Sequence, residues 1–226
     1  MTEIDIKDKQ TQTIAILGGT GKEGPGLAMR WAYAGYPIII GSRQTEKAEK
    51  VASELNVKLG IDTIRGLKND AAARQAEISV LTVVYTAHQF VLQDLKDDLA
   101  GKILVDATAR VDFRDPKPPT PPSAGRLAQN ILGSQVKVVA AFQNVPAHVL
   151  RANITEPLNI DVLVCADDID AAQVVIQLAN AGRMQAYYAG NLDNALVVEG
   201  LTALLIAINK HYGVRTASIG LSGLSY

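Results

Sequence analysis

The sequence predicts an α/β protein with a doubly wound parallel sheet and a smaller C-terminal α/β lobe that is rich in helix. Three observations support this fold class. Short apolar segments alternate with segments whose apolar residues recur at helical spacing, from residue 13 to residue 142. A glycine-rich turn joins the first segment of each kind. Apolar residues make up 48% of the 226 residues and charged residues 20%, which is enough for a large buried core.

The first strand is expected over residues 13–18, and it leads into the pattern G-x-G-x-x-G formed by Gly19, Gly21 and Gly24. In a Rossmann-type loop these glycines permit the turn, the approach of a pyrophosphate and close helix–strand packing. The helix that follows, expected over residues 22–35, presents free N–H groups to an anion. A plain glycine turn is the alternative. The loop residues expected to bind a dinucleotide are Gly19, Thr20, Gly21, Lys22, Glu23 and Gly24.

The remaining elements follow from the spacing of the apolar residues. Continuous apolar runs indicate parallel strands covered on both faces, and apolar residues three and four apart indicate helices. The expected later strands are residues 37–41, 62–65, 78–84, 102–106, 136–142, 161–165 and 184–188. The expected later helices are residues 45–55, 69–76, 87–99, 125–132, 169–181 and 192–210. This alternation implies right-handed βαβ units.

Changes in composition divide the chain into three parts. Residues 1–12 are polar and charged, and predict a leader without the apolar segment of a secretory signal. Residues 13–135 predict a nucleotide-binding Rossmann domain, and residues 136–226 a lobe for substrate binding and dimerisation. The prolines between residues 112 and 123 favour a semi-rigid connection between sheet and lobe, with an SH3-type ligand as the alternative.

The helix expected over residues 192–210 is apolar almost all round and must therefore be buried. A contact between two copies of the chain is favoured, and the central helix of a monomer is the alternative. The apolar run within this helix contains Glu199, and we expect it to be too short to cross a bilayer.

Charge, cysteine and histidine content argue against several classes of partner. The formal charge of −1 and the scattered cations argue against nucleic acid or a membrane surface as the partner. Cys165 is the single cysteine, which fits a reducing, cytoplasmic location. His88, His148 and His211 lack the spacing of metal ligands, so no metal site is expected.

The end of the second strand decides between NAD and NADP in this type of loop. An acidic residue there would bind the ribose 2′-hydroxyl, whereas this chain has Ser42 and Arg43, with Lys47 four residues beyond Arg43. A cation attracts a 2′-phosphate, and Thr20 adds a hydroxyl, so we expect NADP. Ordinary solvated charges are the alternative reading of Arg43 and Lys47.

Ligands of such folds bind outside the carboxyl ends of the strands. The fourth strand ends with Val83, Val84 and Tyr85, followed by His88. Tyr85 is expected as a stacking wall or as part of the core, and His88 as a contact or as a residue that packs its own helix. No nucleophile elbow or paired carboxylate is visible, so no side chain is assigned as catalytic. This absence suits hydride transfer between planar cofactors, which depends on stacking and orientation.

Several motifs together resemble the NADPH-dependent F420 reductases. They are Ile16-Leu17-Gly18-Gly19-Thr20-Gly21, Gly41-Ser42-Arg43, Gly66-Leu67-Lys68-Asn69, Val80-Leu81-Thr82-Val83, Phe142-Gln143-Asn144-Val145-Pro146-Ala147 and Val198-Glu199-Gly200-Leu201-Thr202. The resemblance implies a homodimer that transfers hydride reversibly between nicotinamide C4 and the central ring carbon of the 5-deazaflavin F420. Gln143 and Gly200 depart from the family pattern, which has a histidine and a serine there.

The resemblance also implies roles for individual residues. Thr20, Ser42, Arg43 and Lys47 would hold the 2′-phosphate of NADP. The segment Val83-Val84-Tyr85 would line the nicotinamide side, and the Ala147 backbone would fix the carboxamide. The residues implied on the deazaflavin side are Asn144, Pro146 and Thr202. Two other functions stay open, an NADPH-dependent reductase of a flavin or another small acceptor, and a non-catalytic NADP-sensing protein.

Overall fold

The computed structural model describes residues 12–224, so the expected leader lies outside the described residues except for Gln12. One sheet of eight strands, in the order β3-β2-β1-β4-β5-β6-β7-β8, forms its centre. Strands β1 to β6 are parallel, β7 is antiparallel to β6, and β8 is parallel to β7. The strands are β1 (Ile14–Leu17), β2 (Ile38–Ser42), β3 (Ile64–Lys68), β4 (Ile78–Leu81), β5 (Ile103–Asp106), β6 (Lys137–Ala140), β7 (Leu158–Ala166) and β8 (Met184–Tyr188). The expected Rossmann-type α/β fold is confirmed.

The helices connect these strands as the alternation predicts. They are α1 (Gly24–Tyr33), α2 (Thr45–Leu59), α3 (Asn69–Gln75), α4 (Tyr85–Asp94), α5 (Ala124–Leu132), α6 (Ile169–Ala181) and α7 (Ala195–Tyr212), with short 3₁₀ turns at Val149–Arg151 and Leu192–Asn194. One boundary differs in a way that matters for the site. The expected strand over residues 78–84 ends at Leu81, which pairs in register with Leu17 and Asp106, the last residues of β1 and β5. The Leu17 carbonyl accepts both the Thr82 N–H and the Thr82 hydroxyl at this end of β4. Val83 and Val84 therefore lie in a loop.

The two faces of the sheet bury different residues of each strand. On β1, Ile14 and Ile16 pack into one apolar cluster, while Ala15 and Leu17 pack into the other. All four are fully buried. This is the arrangement expected of a parallel sheet covered by helices on both faces. Because β1 is held from both sides, the position of the glycine loop that follows it is also fixed.

The sheet continues without a break into the C-terminal half of the chain, because β6 pairs with β5 in parallel register. Arg30 of α1 adds a second connection that the sequence did not indicate. Its buried guanidinium donates hydrogen bonds to the carbonyls of Leu150 (2.9 Å), Ala152 (2.9 Å) and Gly182 (3.1 Å). The division into residues 13–135 and 136–226 stays a prediction.

The last helical segment ends two residues later than expected, and its α-helix α7 begins only at Ala195, after the 3₁₀ turn at Leu192–Asn194. Leu192–Tyr212 spans 21 residues and has the length and composition of a membrane-crossing helix, the single such helix within residues 12–224. The expectation that this segment is too short to cross a bilayer was therefore wrong. Its Glu199 carboxylate is nevertheless buried and accepts hydrogen bonds from the N–H groups of Ala124 (2.7 Å) and Arg110 (3.2 Å). These bonds pack one face of α7 onto α5 and onto the loop after β5.

Candidate functional site

The glycine loop lies at the carboxyl end of β1. Of its three motif glycines, two are required by close packing within the fold and one is not. A Cβ on Gly19 would lie 2.6 Å from the Ile16 carbonyl oxygen, and one on Gly24 would lie 2.7 Å from the Gly19 Cα. The fold itself therefore requires these two glycines. A Cβ on the exposed Gly21 would meet nothing closer than 3.6 Å, and its φ is not positive. The fold itself does not require glycine at position 21. A glycine there is expected if a pyrophosphate must approach the backbone closely.

The loop is fastened from the side by a residue that sequence reasoning missed. The Gly18 N–H donates to the Asn69 Oδ1 at 3.1 Å, and Gly18 itself adopts the left-handed region with φ of 72°. The same Oδ1 lies 2.7 Å from the position of a Cβ on Gly41, so glycine is needed there to let the asparagine through. Asn69 thus ties the start of α3 to the turn after β1. The sequence shows the motif that contains Asn69, but it does not show that Asn69 binds the Gly18 N–H.

A cavity of about 270 Å³ opens beyond the end of β2, where the residues that select the cofactor were expected. Ser42 ends β2 and is buried, and its Oγ accepts the Gln44 N–H at 3.3 Å. Ser42 and Arg43 both line the cavity, whereas Thr20 and Lys47 lie outside its lining. The lining residues are Ser42, Arg43, Lys68, Asn69, Asp70, Val91, Asp94 and Leu95.

The end of β4 forms the opposite side of the glycine loop. Val83 packs so closely on Gly18 that its Cγ1 lies 2.5 Å from the position of a Cβ there. Val84 and Tyr85 are exposed at the start of α4. The Arg110 guanidinium lies 5.0 Å from the centre of the Tyr85 ring. Tyr85 is therefore a surface wall with a cation against it.

His88 lies beneath that wall. Its ring centre is 5.9 Å from the centre of the Tyr85 ring, and its Nε2 is 2.7 Å from the Asp106 Oδ2. Only 1% of the His88 side chain and none of the Asp106 side chain is exposed. His88 is thus buried between Asp106 of β5 and the Tyr85 ring.

Asp106 connects the nicotinamide and deazaflavin sides expected from the sequence. Its Oδ1 accepts the Thr108 N–H at 3.0 Å, and its main-chain oxygen accepts the Gln143 Nε2 at 2.9 Å. The Gln143 main-chain oxygen in turn accepts the Thr202 hydroxyl at 2.8 Å. One chain of hydrogen bonds therefore joins α4, β5, the turn after β6 and α7.

The turn after β6 carries the segment from Asn144 to Ala147. It begins at Phe142, a fully buried residue with φ of 75° whose ring packs edge-on against Trp31 with centres 5.8 Å apart. A positive φ at a bulky residue is strained, and such strain is tolerated where the surroundings fix the chain. The Asn144 Nδ2 donates to the Asp161 carbonyl at 2.8 Å. Pro146 and Ala147 are half-buried.

The 3₁₀ turn that follows reaches back to the glycine loop. The Arg151 Nη2 donates to the Lys22 carbonyl at 3.1 Å, while the Arg151 and Lys22 side chains stay exposed. The segment after β6 is therefore held beside the pyrophosphate cradle.

Two carboxyl groups near Asp106 have pKa values raised above the ordinary value for glutamate. Burial, and next the neighbouring Asp106 carboxylate, raise the pKa of Glu23 to about 8. Burial also raises the pKa of Glu199 to about 7, against the lowering effect of its two N–H donors. A neutral Glu23 does not repel an anion bound at the glycine loop.

Several buried polar atoms at this edge have no hydrogen-bond partner within the described part of the chain. An unpaired buried polar group costs about 1–3 kcal/mol, so such a group persists where a ligand or a function uses it. These atoms are Glu23 Oε1, Thr108 Oγ1, Arg110 Nε and Gln143 Oε1.

The remaining histidines and the cysteine lie apart from this edge. Among residues 12–224, no three His, Cys, Asp or Glu side chains are grouped as metal ligands. His148 is exposed, and His211 packs edge-on against Tyr212. Cys165 is buried in β7, and burial raises the pKa of its thiol to about 12.

A parallel sheet with an open glycine cradle after β1 and a cation-bearing cavity after β2 defines a Rossmann-type, nucleotide-dependent oxidoreductase. The family model described as "NADP oxidoreductase coenzyme F420-dependent" matches residues 13–110. The F420-dependent NADP reductase of Methanocaldococcus jannaschii is 39% identical over 222 residues, covering 93% of this chain and 98% of that protein. The chain therefore belongs to the F420-dependent NADP reductase family.

Other relatives agree with this assignment. The F420-dependent NADP reductase of Methanothermobacter thermautotrophicus is 38% identical over 221 residues, covering 93% of this chain and 95% of that protein. A crystal structure from Arthrobacter sp. FB24, assigned to an F420-dependent NADP reductase, superposes with a TM-score of 0.77. That chain is 25% identical, and the match covers 94% of this chain and 100% of that one.

Proposed function

We propose that this protein transfers hydride reversibly between NADP(H) and the deazaflavin F420. The observation that carries the proposal is the near-complete alignment with F420-dependent NADP reductases at 37–39% identity. The open cradle at Gly21 and the Ser42–Arg43 cavity supply the matching geometry for NADP. The bound cofactors themselves supply the hydride chemistry, between nicotinamide C4 and the central carbon of the deazaflavin.

On the NADP side, the residues of this chain bind and orient. Backbone N–H groups of the glycine loop at the start of α1 would hold the pyrophosphate. The N–H groups of Gly19 and Gly21 are already bonded to the carbonyls of Gly41 (2.9 Å) and Gly18 (3.2 Å), so the donors would be other residues of the loop, such as Thr20 and Lys22. Ser42 and Arg43 grip the 2′-phosphate at the cavity, and Thr20 and Lys47 reach it from the loop and from the first turn of α2.

The loop after β4 would hold the nicotinamide ring. Val83 would back the ring, Val84 and Tyr85 would flank it, and the Ala147 backbone would hold the carboxamide. We assign His88 a supporting role, since its buried ring acts through Tyr85 and Asp106. These residues exclude water and fix the angle of approach.

The turn after β6 would hold the deazaflavin, with Asn144, Pro146 and Thr202 as the contacting residues. The hydrogen bond from the Thr202 hydroxyl to the Gln143 carbonyl, and that from the Gln143 side chain to the Asp106 carbonyl, hold these residues in place. No side chain of this site acts as nucleophile or metal ligand in the proposed reaction.

We further propose a cytoplasmic homodimer that binds neither nucleic acid nor membrane. Val197, Leu204 and Tyr212 of α7 expose large apolar side chains, which a second copy of the chain would cover. Gel filtration with light scattering tests the dimer directly, and a monomer at all concentrations contradicts it.

Mixing the protein with NADPH and F420, and following the visible absorbance of the oxidised deazaflavin, tests the reaction. Loss of that absorbance, dependent on both NADPH and protein, is expected. Turnover with a free flavin or an imine, and none with F420, would assign another acceptor to the same fold. Tight NADPH binding without turnover of any acceptor would indicate a sensing protein.

A further inference from the structure

The cavity beyond β2 is lined by one further cation, Lys68, to which no role in NADP binding has been assigned above. Lys68 is the last residue of β3, and it pairs in register with Ser42, the last residue of β2. Adjacent parallel strands lie about 4.8 Å apart, and residues in register point to the same face of the sheet. Lys68 and Ser42 therefore present their side chains side by side, and both line the cavity.

The opposite wall of the cavity belongs to α4. Val91, Asp94 and Leu95 are spaced three and four residues apart, so they share one helix face. Val91 and Leu95 supply an apolar surface of the kind that receives a flat ring. Asp94 places an exposed carboxylate, which only accepts hydrogen bonds when ionised, at the edge of that surface.

The charged side chains of the cavity also differ between its strand side and its α4 side. The Asp70 carboxylate is paired with Arg74 at 2.8 Å, and Arg74 also binds Asp98 at 3.0 Å. Asp70 is thus largely offset by its own partner. No ion pair of this kind is found for Lys68 or Asp94 in the described part of the chain. The strand side of the cavity is cationic, and the α4 side carries one acceptor.

We propose that this cavity holds the adenosine 2′-phosphate end of the nucleotide, with Lys68 as a second phosphate-binding cation beside Arg43 and Asp94 as the group that recognises the adenine amine. The inference rests on the NADP half of the proposed function. The Lys68 ammonium and the Ser42 hydroxyl donate to the 2′-phosphate. The Asp94 carboxylate accepts from the exocyclic amine, which hypoxanthine replaces with an oxygen that the carboxylate repels.

Binding of two small fragments to the full-length protein tests the role of Lys68. Adenosine 2′,5′-bisphosphate and adenosine 5′-monophosphate differ only in the 2′-phosphate, and calorimetry gives the affinity for each. Lys68→Met should weaken bisphosphate binding about tenfold and change monophosphate binding less than about twofold. Lys68→Arg should retain the preference. Lys96→Met, which removes an exposed cation of the segment after α4 outside the cavity lining, controls for long-range charge.

The outcomes separate this inference from the proposed function. Equal affinity of the wild type for both fragments would overturn the NADP assignment and the inference together. A clear wild-type preference that Lys68→Met leaves intact would overturn only the inference. Thermal unfolding of the variants, with wild-type midpoints expected, ensures that a lost preference is not a lost fold.

A base analogue tests Asp94. The wild type should bind NADP more tightly than its hypoxanthine analogue, by about tenfold. Asp94→Asn should remove this preference, because an amide offers both a donor and an acceptor. Asp97→Asn, on the same exposed segment outside the lining, should retain it. An unchanged preference in Asp94→Asn would overturn the adenine role.

Discussion

Replacing Gly21 by valine should separate the binding function of the glycine loop from its folding. An added Cβ meets no atom within 3.6 Å, and the backbone of Gly21 lies outside the left-handed region. The free energy of unfolding should therefore change by less than about 1 kcal/mol, and the lower entropy of the unfolded chain can raise it. The larger side chain would instead stand where the pyrophosphate approaches the backbone.

The expected loss of binding follows from the contacts that the valine displaces. Hydrogen bonds to charged groups contribute roughly 1.5–3 kcal/mol each. Losing the equivalent of two of them costs about 3 kcal/mol or more, so NADPH affinity should fall at least about 100-fold.

Gly24→Ala is the matched control. Its Cβ would lie 2.7 Å from the Gly19 Cα and 2.9 Å from the Gly19 carbonyl oxygen, neither of which can move freely. This variant should lose about 1–3 kcal/mol of stability through overpacking. Urea unfolding and NADPH titration, applied to both variants, measure the two effects separately. A Gly21→Val protein with wild-type NADPH affinity would refute the reasoning, because the loop would then be only a turn.

Three further perturbations test other parts of the site. Arg43→Ala should weaken NADPH binding by about 1.5–3 kcal/mol and leave NADH binding nearly unchanged, and equal losses in a parallel titration would remove the specificity argument. Because the raised pKa of Glu23 keeps a proton on the folded protein that the unfolded chain releases, this group makes stability fall as pH rises from about 5 to about 8, by up to about 1.4 kcal/mol per pH unit. Glu23→Gln should remove that part of the slope in urea unfolding across the range, and identical slopes would contradict the assigned proton. Gly200→Ala adds a Cβ with no atom within 4 Å in the middle of α7, so it should raise the free energy of unfolding by about 0.5–1 kcal/mol. If the deazaflavin uses the space beside Thr202, the same variant raises the KM for F420 and leaves that for NADPH unchanged.

The sequence predicted those features that depend on local periodicity. The alternation of β1 between two buried faces and the glycine spacing after it are both readable within one short segment. The same reasoning extended the fourth strand through Val84, because apolar residues continue past Leu81. The strand instead ends level with Leu17 and Asp106, the last residues of its neighbours β1 and β5, and periodicity along β4 does not encode where those neighbours end.

The parts that sequence reasoning missed are pairings between distant residues. His88 and Asp106 follow different strands, and only the adjacency of β4 and β5 brings them within hydrogen-bonding distance. Asn69, which follows β3, reaches Gly18 after β1 across the end of β2, the strand that lies between them. Arg30 was a charge within an apolar helix, and nothing in the sequence marks main-chain oxygens as its partners.

The bonding of Arg30 has a consequence for how this protein can change over evolutionary time. Every bond its guanidinium makes with the facing segments ends on a peptide oxygen, which every amino acid possesses. The acceptors at Leu150, Ala152 and Gly182 therefore do not depend on which side chain those positions carry. These hydrogen bonds require a particular side chain only at position 30. A lysine there could not replace arginine, because it lacks the planar set of donors. Residues of the C-terminal half can thus change during evolution while the Arg30 hydrogen bonds that join it to the nucleotide-binding half are retained.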